Sequence, residues 1–313
     1  LAITVLYDVP SAGAILASIE QCGVYRYKGQ ACEQLSYAVI EDGVGKQDQI
    51  RPRLKQHGTY VITGGMGGLG QIFARYLATE YQANLILLGR SKLSEEHESV
   101  IDSLADNGAA SVHYESIDIS HIEDLQSFSA RLSCTVDGVL HAAGVDGSKR
   151  VTDATWHEFE IVLAANIKGT VAVNEVFKNC AWICYFASSS AILGDFGACS
   201  YAVGKRYQMA LSALQDDAGP RYVTINWPLW KDGGMGVDNK AFTELYLKSS
   251  GQSWLTEVDG LSAFEVILAT GSAHALVMMG DGPRLDLVLA GKYHPECNKD
   301  IHAGTRASAT QAK

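Results

Sequence analysis

From residue 58 onward the apolar positions follow two alternating rhythms. Short runs rich in β-branched, aliphatic and aromatic residues occur at Tyr60–Thr63, Asn84–Leu88, Ser111–Ile117, Gly138–His141, Trp182–Ala187, Tyr222–Asn226 and Ala275–Met279. Between them lie longer stretches with the three-to-four spacing of amphipathic helices. Such alternation predicts a doubly wound α/β fold, a parallel sheet of about seven strands with helices on both faces. Several runs are apolar at consecutive positions, as a strand requires when helices cover both of its faces. Residues 1–57 read differently, with short β-like pieces at Ala2–Tyr7, Gly23–Tyr27 and Leu35–Ile40 and a turn-rich stretch at Glu41–Gln49. They offer too little for a domain with a core of its own and are expected to be the end of a neighbouring subdomain, or extra strands packed against the main one. Residues 58–290 are expected to form the main domain, and 291–313, which end in a small polar stretch without hydrophobic period, a linker or tail.

The first strand of the main domain runs directly into Gly64-Gly65-Met66-Gly67-Gly68-Leu69-Gly70 and then an amphipathic helix, Gln71–Tyr81. Glycine allows the tight turn, lets the backbone approach a pyrophosphate and permits close packing of helix on strand. The helix start adds unpaired N–H groups and a positive dipole end. Thr63, Gly64, Gly65, Gly67, Gly68, Leu69 and Gly70 therefore read as a dinucleotide cradle in a Rossmann-type sheet. The second strand ends in Gly89-Arg90-Ser91, where an NAD site would offer a carboxylate to the ribose 2′-hydroxyl. A guanidinium can instead clamp a 2′-phosphate, with Ser91 adding a hydroxyl, which favours NADPH over NAD; otherwise Arg90 is a solvated strand-end charge. Asp118, after the third strand, is placed either to bond the adenine amino group or to cap a helix.

Composition removes other classes. The 313 residues carry 25 Lys and Arg against 35 Asp and Glu, a formal charge of −10, and 47% are hydrophobic, so the core is sizeable and a phosphate-tracking surface for nucleic acid is excluded. The length suits either two domains or one large domain with an appendage. No apolar stretch approaches the ~20 residues of a membrane-spanning helix. The 7 cysteines show neither CxxC pairs nor zinc-ligand spacing, so free thiols, no metal and a reducing cytoplasm are expected. The chain opens on an apolar stretch without a basic region before it, which speaks against a signal peptide and for a fragment.

Tyr201 and Lys205, four apart on a helix, share one face, and an ammonium beside a phenol favours the phenolate. Tyr201 can then act as general acid toward a ketone oxygen, and Ser188, at the end of the fifth strand, can hydrogen-bond the same oxygen. With His141-Ala142-Ala143-Gly144 after the fourth strand, Asn166 in the next helix, Ser188, and Tyr201-Ala202-Val203-Gly204-Lys205, residues 58–290 resemble the short-chain dehydrogenase/reductase superfamily. Tyr201 follows Ser188 by 13 residues (201 − 188), that family's usual interval. The resemblance implies that Lys205 also bonds the nicotinamide ribose and that Asn166 holds a water linking Lys205 to solvent. Ala142, Ala143, Gly144 and Pro228 are implied to line the cofactor.

Within that superfamily the chain resembles the ketoreductase domains of modular polyketide synthases. The likeness lies in Gly58–Gly70, in Gly138–Val145, in Ile192-Leu193-Gly194-Asp195-Phe196-Gly197, and in Ile225-Asn226-Trp227-Pro228-Leu229-Trp230 with Gly233-Gly234-Met235-Gly236. The last two passages are similar to the trans-acyltransferase branch. The resemblance implies reduction of a β-ketoacyl thioester tethered to an acyl carrier protein, beside neighbouring synthase domains, and makes residues 1–57 the tail of a cofactor-free structural half. Two departures stand out. Most such domains carry Lys and Asn where this chain has Asn166 and Lys205, the order of free-standing reductases, which keeps a stand-alone reductase of small carbonyls and a non-catalytic NADPH-binding module as alternatives. The Leu-Asp-Asp fingerprint of one product hand is replaced by Val145-Asp146-Gly147-Ser148, which places the chain outside the Asp-marked class.

Overall fold

The structure, a computed structural model, describes residues 5–7, 24–28, 31–34, 40, 54–145, 147, 149, 152–194, 199–213, 219–234, 240–270 and 272–289. It divides into two compact units, one of Leu1–Glu41, Leu245–Gln252 and Gly280–Lys313, the other of Asp42–Glu244 and Ser253–Met279.

The first unit contains a small mixed sheet. Strand β1 (Val5–Tyr7) pairs in parallel with β2 (Val24–Lys28), and β3 (Ala31–Gln34) returns antiparallel to β2 in a hairpin register of Lys28 opposite Ala31. The expected third piece, Leu35–Ile40, lies outside the described residues apart from Ile40, as do 291–313.

The larger unit holds β4 (Thr59–Thr63), β5 (Asn84–Gly89), β6 (Ser111–Ser116), β7 (Gly138–His141), β8 (Trp182–Ser188), β9 (Arg221–Trp227) and β10 (His274–Leu276). They form one parallel sheet in the order β10-β9-β8-β7-β4-β5-β6, the doubly wound arrangement that the alternating pattern predicts. Helices α1 (Gly68–Tyr81), α2 (Glu95–Asp106), α3 (Ile122–Ser129), α4 (Trp156–Leu163), α5 (Gly169–Val176), α6 (Ser190–Leu193), α7 (Cys199–Ala213), α8 (Lys240–Ser250), α9 (Glu257–Thr270) and α10 (Gly282–Leu289) complete the described elements, with a π-helical turn at Ala164–Lys168 between α4 and α5. None is long and apolar enough to cross a membrane.

Continuous burial on the central strands explains their unbroken apolar runs. Tyr60 and Ile62 of β4 join one core with Phe73 and Leu77 of α1, while Val61 between them joins the opposite core with Leu125 and Phe128 of α3. Leu85 and Leu87 of β5 divide from Ile86 and Leu88 in the same way. The first core is aromatic: the Phe73 ring meets Phe186 at 4.6 Å and Phe264 at 5.0 Å between centroids, both edge to face. The expected last strand, Ala275–Met279, is shorter and shifted. Among the described strands it is an edge strand paired to β9 alone, in a register of Leu276 opposite Asn226, and β9 ends one residue further on, at Trp227.

A side chain at Gly138 of β7 would place its Cβ 2.3 Å from the buried Trp182 ring, whereas one at Gly282, opening α10, would meet nothing within 4 Å. Gly138→Ala is therefore expected to lower unfolding free energy by about 1–3 kcal/mol, and Gly282→Ala to leave it level or raise it by up to about 1 kcal/mol, both read by urea denaturation.

Candidate active site

Every strand of the larger sheet points its carboxyl end to one edge, and chain order reverses between β4 and β7. Helices leaving these two strands go to opposite faces, which opens a crevice above their ends. The glycine turn occupies that position. Gly64 adopts φ +68°, and a Cβ there would lie 2.9 Å from the backbone of Ala143 beyond β7. A Cβ on Gly70 would stand 2.2 Å from the Gly64 carbonyl oxygen, and one on Gly68 2.3 Å from that of Gly233, so the glycines are demanded by backbone packed against backbone. Gly67 caps α1 without any side-chain bond, the first turn holds no acidic residue, and Gly67 and Gly68 are exposed. An uncapped, uncompensated helix start at a switch point fits the pyrophosphate of a dinucleotide.

Arg90 and Ser91 stand exposed past the end of β5, their carbonyls held by the hydroxyls of Ser116 (3.3 Å) and Tyr114 (2.5 Å). Asp118 accepts from the Ser120 N–H at 2.9 Å and hydroxyl at 2.7 Å through one carboxylate oxygen. Burial alone would raise its pKa, but those bonds, with the charges of His121 and Arg90, hold it below the usual carboxylate range. Asp118 therefore makes a local turn bond to Ser120 and does not cap α3, whose N-cap is His121, while Arg90 lies within its electrostatic reach. Thr63 ends β4, Leu69 lies in the first turn of α1, Ala142, Ala143 and Gly144 follow β7, and Pro228 is buried directly after β9.

The four residues singled out for proton chemistry come from three neighbouring elements. Tyr201 and Lys205 lie one turn apart on α7, with the Lys205 ammonium 5.4 Å from the centre of the Tyr201 ring. That ammonium is 1% exposed and donates to the Phe186 carbonyl of β8 at 2.9 Å, two residues before Ser188. Burial pulls its pKa from 10.5 down to about 7. Ser188 is the last residue of β8; its hydroxyl donates to Ser190 Oγ at 3.0 Å and accepts from the Ser190 N–H at 3.2 Å. Asn166 is fully buried in the π-helical turn, not in a regular helix as its sequence context predicts. Its Nδ2 donates to the Val162 carbonyl at 2.9 Å, and its side chain packs on Gly204, where a Cβ would come within 2.6 Å of Asn166 Cβ. Glycine beside Lys205 is what lets the two elements touch. Lys168 is 63% exposed and 3.8 Å from Glu160, as expected of a solvated lysine.

Sequence reasoning passed over Thr170 and Gln208 and read His141 only as part of a motif, without a role of its own. All three are fully buried and hydrogen-bonded beneath these residues. The available signals were Thr170 four residues after Asn166, and Gln208 one turn after Gly204. Asp195, Phe196, Gly197, Met235 and Gly236, which carry part of the family likeness, and Asp146 and Ser148, which belong to a departure from it, lie outside the described residues.

Comparison with known proteins agrees with the geometry. The KR domain family matches residues 58–232. Polyketide synthase PksM of Bacillus subtilis (strain 168) is 42% identical over 254 residues, 78% of this chain. Polyketide synthase ThaG of Burkholderia thailandensis is 33% identical over 248 residues, 74% of this chain. The chain spans only 6% and 4% of the length of those two relatives. Among solved structures, a ketoreductase domain from the bacillaene assembly line superposes with a TM-score of 0.72 at 26% identity, over 85% of this chain and 65% of that one. An N-terminal ketoreductase from the macrolactin assembly line gives 0.71 at 26% identity, over 88% and 54%.

The buried ammonium gives stability a pH dependence. Below about pH 7 the folded protein carries the full cost of burying charged Lys205; between about 7 and 10.5 the unfolded chain binds a proton that the folded one does not, so stability rises with pH, and above 10.5 this cost is gone. Lys205→Met should therefore melt above the parent at pH 7, with the gap narrowing by pH 10. Calorimetry at both pH values checks this; a gap independent of pH contradicts it.

Proposed function

The chain belongs to the KR domain family, and from that premise we propose that it reduces a β-ketoacyl thioester, tethered to an acyl carrier protein, to the β-hydroxyacyl thioester with NADPH during polyketide assembly. The observation that carries this reading is Lys205. One buried ammonium, fixed to the β8 carbonyl two residues before Ser188, lies against the Tyr201 ring at the edge of the sheet where the glycine turn opens.

NADPH, when bound, supplies the hydride that reduces the carbonyl carbon. Gly64, Gly65, Gly67, Gly68, Leu69 and Gly70 would hold its pyrophosphate on the α1 start, with Thr63 at the end of β4 accepting the N–H of Ala143 against which the turn packs. Arg90 and Ser91 receive the 2′-phosphate, Asp118 the adenine amino group, and Ala142, Ala143, Gly144 and Pro228 line the nucleotide. Tyr201 donates its phenolic proton to the ketone oxygen, and Ser188 donates a hydrogen bond to that oxygen. The Lys205 ammonium stabilises the phenolate that Tyr201 becomes, and burial, which pulls its pKa down to about 7, eases the return of the proton. Asn166, buried against the Lys205 helix, holds the water through which that proton is replaced. Either order of Asn and Lys can place one ammonium and one amide beside the tyrosine.

Residues 58–290 form the catalytic domain in this reading, 1–57 the C-terminal part of a structural subdomain, and 291–313 a linker. Its partners are the carrier and the neighbouring synthase domains, in the cytoplasm.

Incubated with NADPH and a β-ketoacyl thioester on a short thiol mimic, the protein should oxidise NADPH and yield one β-hydroxyacyl thioester per turnover; a folded sample that leaves the 340 nm absorbance unchanged sinks the proposal. Tyr201→Phe should lose ~10²–10⁴ of kcat while binding NADPH as the parent does. Arg90→Ala should weaken NADPH binding about 10-fold or more and leave NADH binding unaltered, as one charge-assisted contact to the 2′-phosphate requires; equal losses for both cofactors would remove Arg90 from that role.

A further inference from the structure

Thr63 and His141 are the last residues of β4 and β7, and they are register partners across the one place where strand order reverses. His141 is fully buried, with Nδ1 2.7 Å from Thr63 Oγ1 and Nε2 3.0 Å from Thr170 Oγ1. The directions of these bonds follow from counting protons. Thr170 has one hydroxyl proton and gives it to the Asn166 carbonyl at 2.6 Å, since a carbonyl can only accept. Its oxygen must then accept from Gln208 Nε2 at 3.1 Å and from His141 Nε2, which fixes the proton of the neutral ring on Nε2. Nδ1 is left as acceptor, so the Thr63 hydroxyl donates to it while accepting the Ala143 N–H at 3.2 Å. Burial, with the charge of Lys205 beside it, holds the ring neutral, its pKa pulled from 6.5 to about 3.

One directed chain therefore runs from the Ala143 amide through Thr63, His141 and Thr170 to the backbone carbonyl of Asn166. At one end is the floor of the glycine turn, where Gly64 sits against Ala143. At the other is the π-helical turn that carries Asn166. A π-turn is a rare departure from the α-helical ladder, found mostly as single turns inside α-helices and often at functional sites.

We propose that His141 is a positioning residue that holds the dinucleotide turn and the Asn166 turn in one register, through Thr63 on one side and Thr170 on the other. Neutral imidazole suits this task because it presents one donor and one acceptor on opposite sides of a rigid ring. The inference rests on the proposed function, its kinetic part on ketone reduction and its binding part on the NADPH site.

The test separates the two arms. Thr170→Val keeps the shape and deletes the hydroxyl; Thr170→Ser keeps the hydroxyl and deletes a methyl. If the chain matters, Thr170→Val should lose about 10-fold or more in kcat and raise the solvent deuterium isotope effect on kcat, as proton delivery becomes limiting, while its NADPH dissociation constant, read by fluorescence, stays at the parent value. Thr170→Ser should restore kcat and the isotope effect. A merely structural threonine predicts the opposite order, with Val tolerated and Ser costly. His141→Phe should additionally weaken NADPH binding about 10-fold, because the Thr63 arm is released with the Thr170 arm; should it fail to fold, His141→Asn, which keeps an acceptor at the Nδ1 position, should spare NADPH binding yet reproduce the Thr170→Val kinetics. Parent-like kcat and isotope effect in folded Thr170→Val, or parent-like NADPH binding in folded His141→Phe, overturns the proposal. If the parent itself does not turn over, the reductase reading has failed, and the NADPH affinities still decide the Thr63 arm.

Discussion

A parallel sheet can place two adjacent strands with helices departing to opposite faces only where chain order reverses, and this chain does so once, when it leaves β6 and returns beside β4 as β7. The rest of the site depends on that reversal. It opens the crevice above Thr63 and His141, and brings the Gly64 turn within contact of Ala143. It also sends β8, with the Phe186 carbonyl and Ser188, to the neighbouring position on the same edge. The close backbone contacts at Gly64, Gly68 and Gly70 are the local consequence: nothing larger than glycine fits where backbone packs on backbone.

Over this frame the protein maintains a costly arrangement. Lys205 is an ammonium with 1% exposure and one carbonyl partner, and burying such a group works against folding. What supports it is an apolar and aromatic core on the other side of β8, where Phe186 packs edge to face on Phe73 and Trp227. Stability gathered there allows the edge of the sheet to hold a lysine whose proton is loosely held near neutral pH. The same division shows in the buried polar residues. Asn166, Thr170, Lys205 and Gln208 cluster where α7 meets the π-turn, and Thr224 and Ser212 extend the hydrogen bonding below them.

Most of this was legible in the sequence, for identifiable reasons. Strands such as Tyr60–Thr63 and Gly138–His141 announced themselves because burial on both faces leaves a run of apolar residues that no surface strand carries. The glycine turn was legible because its constraint is steric, and the Tyr201 and Lys205 pair because helical periodicity alone places them on one face. Features set by long-range pairing were not. Where β10 pairs along β9, and where β3 pairs along β2, are facts that no local composition records. The π-turn at Asn166 has no sequence signature, and His141 read as one letter of a motif until its two threonine partners, 78 residues before it and 29 after it, were in place.

The central claim is that this edge of the sheet delivers a hydride and a proton to opposite ends of one carbonyl. Its most direct measurement is mass spectrometry of intact carrier-bound product after a single turnover with NADPH deuterated at the transferring C4 position. The expected result is a β-hydroxyacyl carrier heavier by one deuterium than the product formed with unlabelled NADPH. A reduced product without the label, or an unreduced carrier despite bound NADPH, would contradict the account.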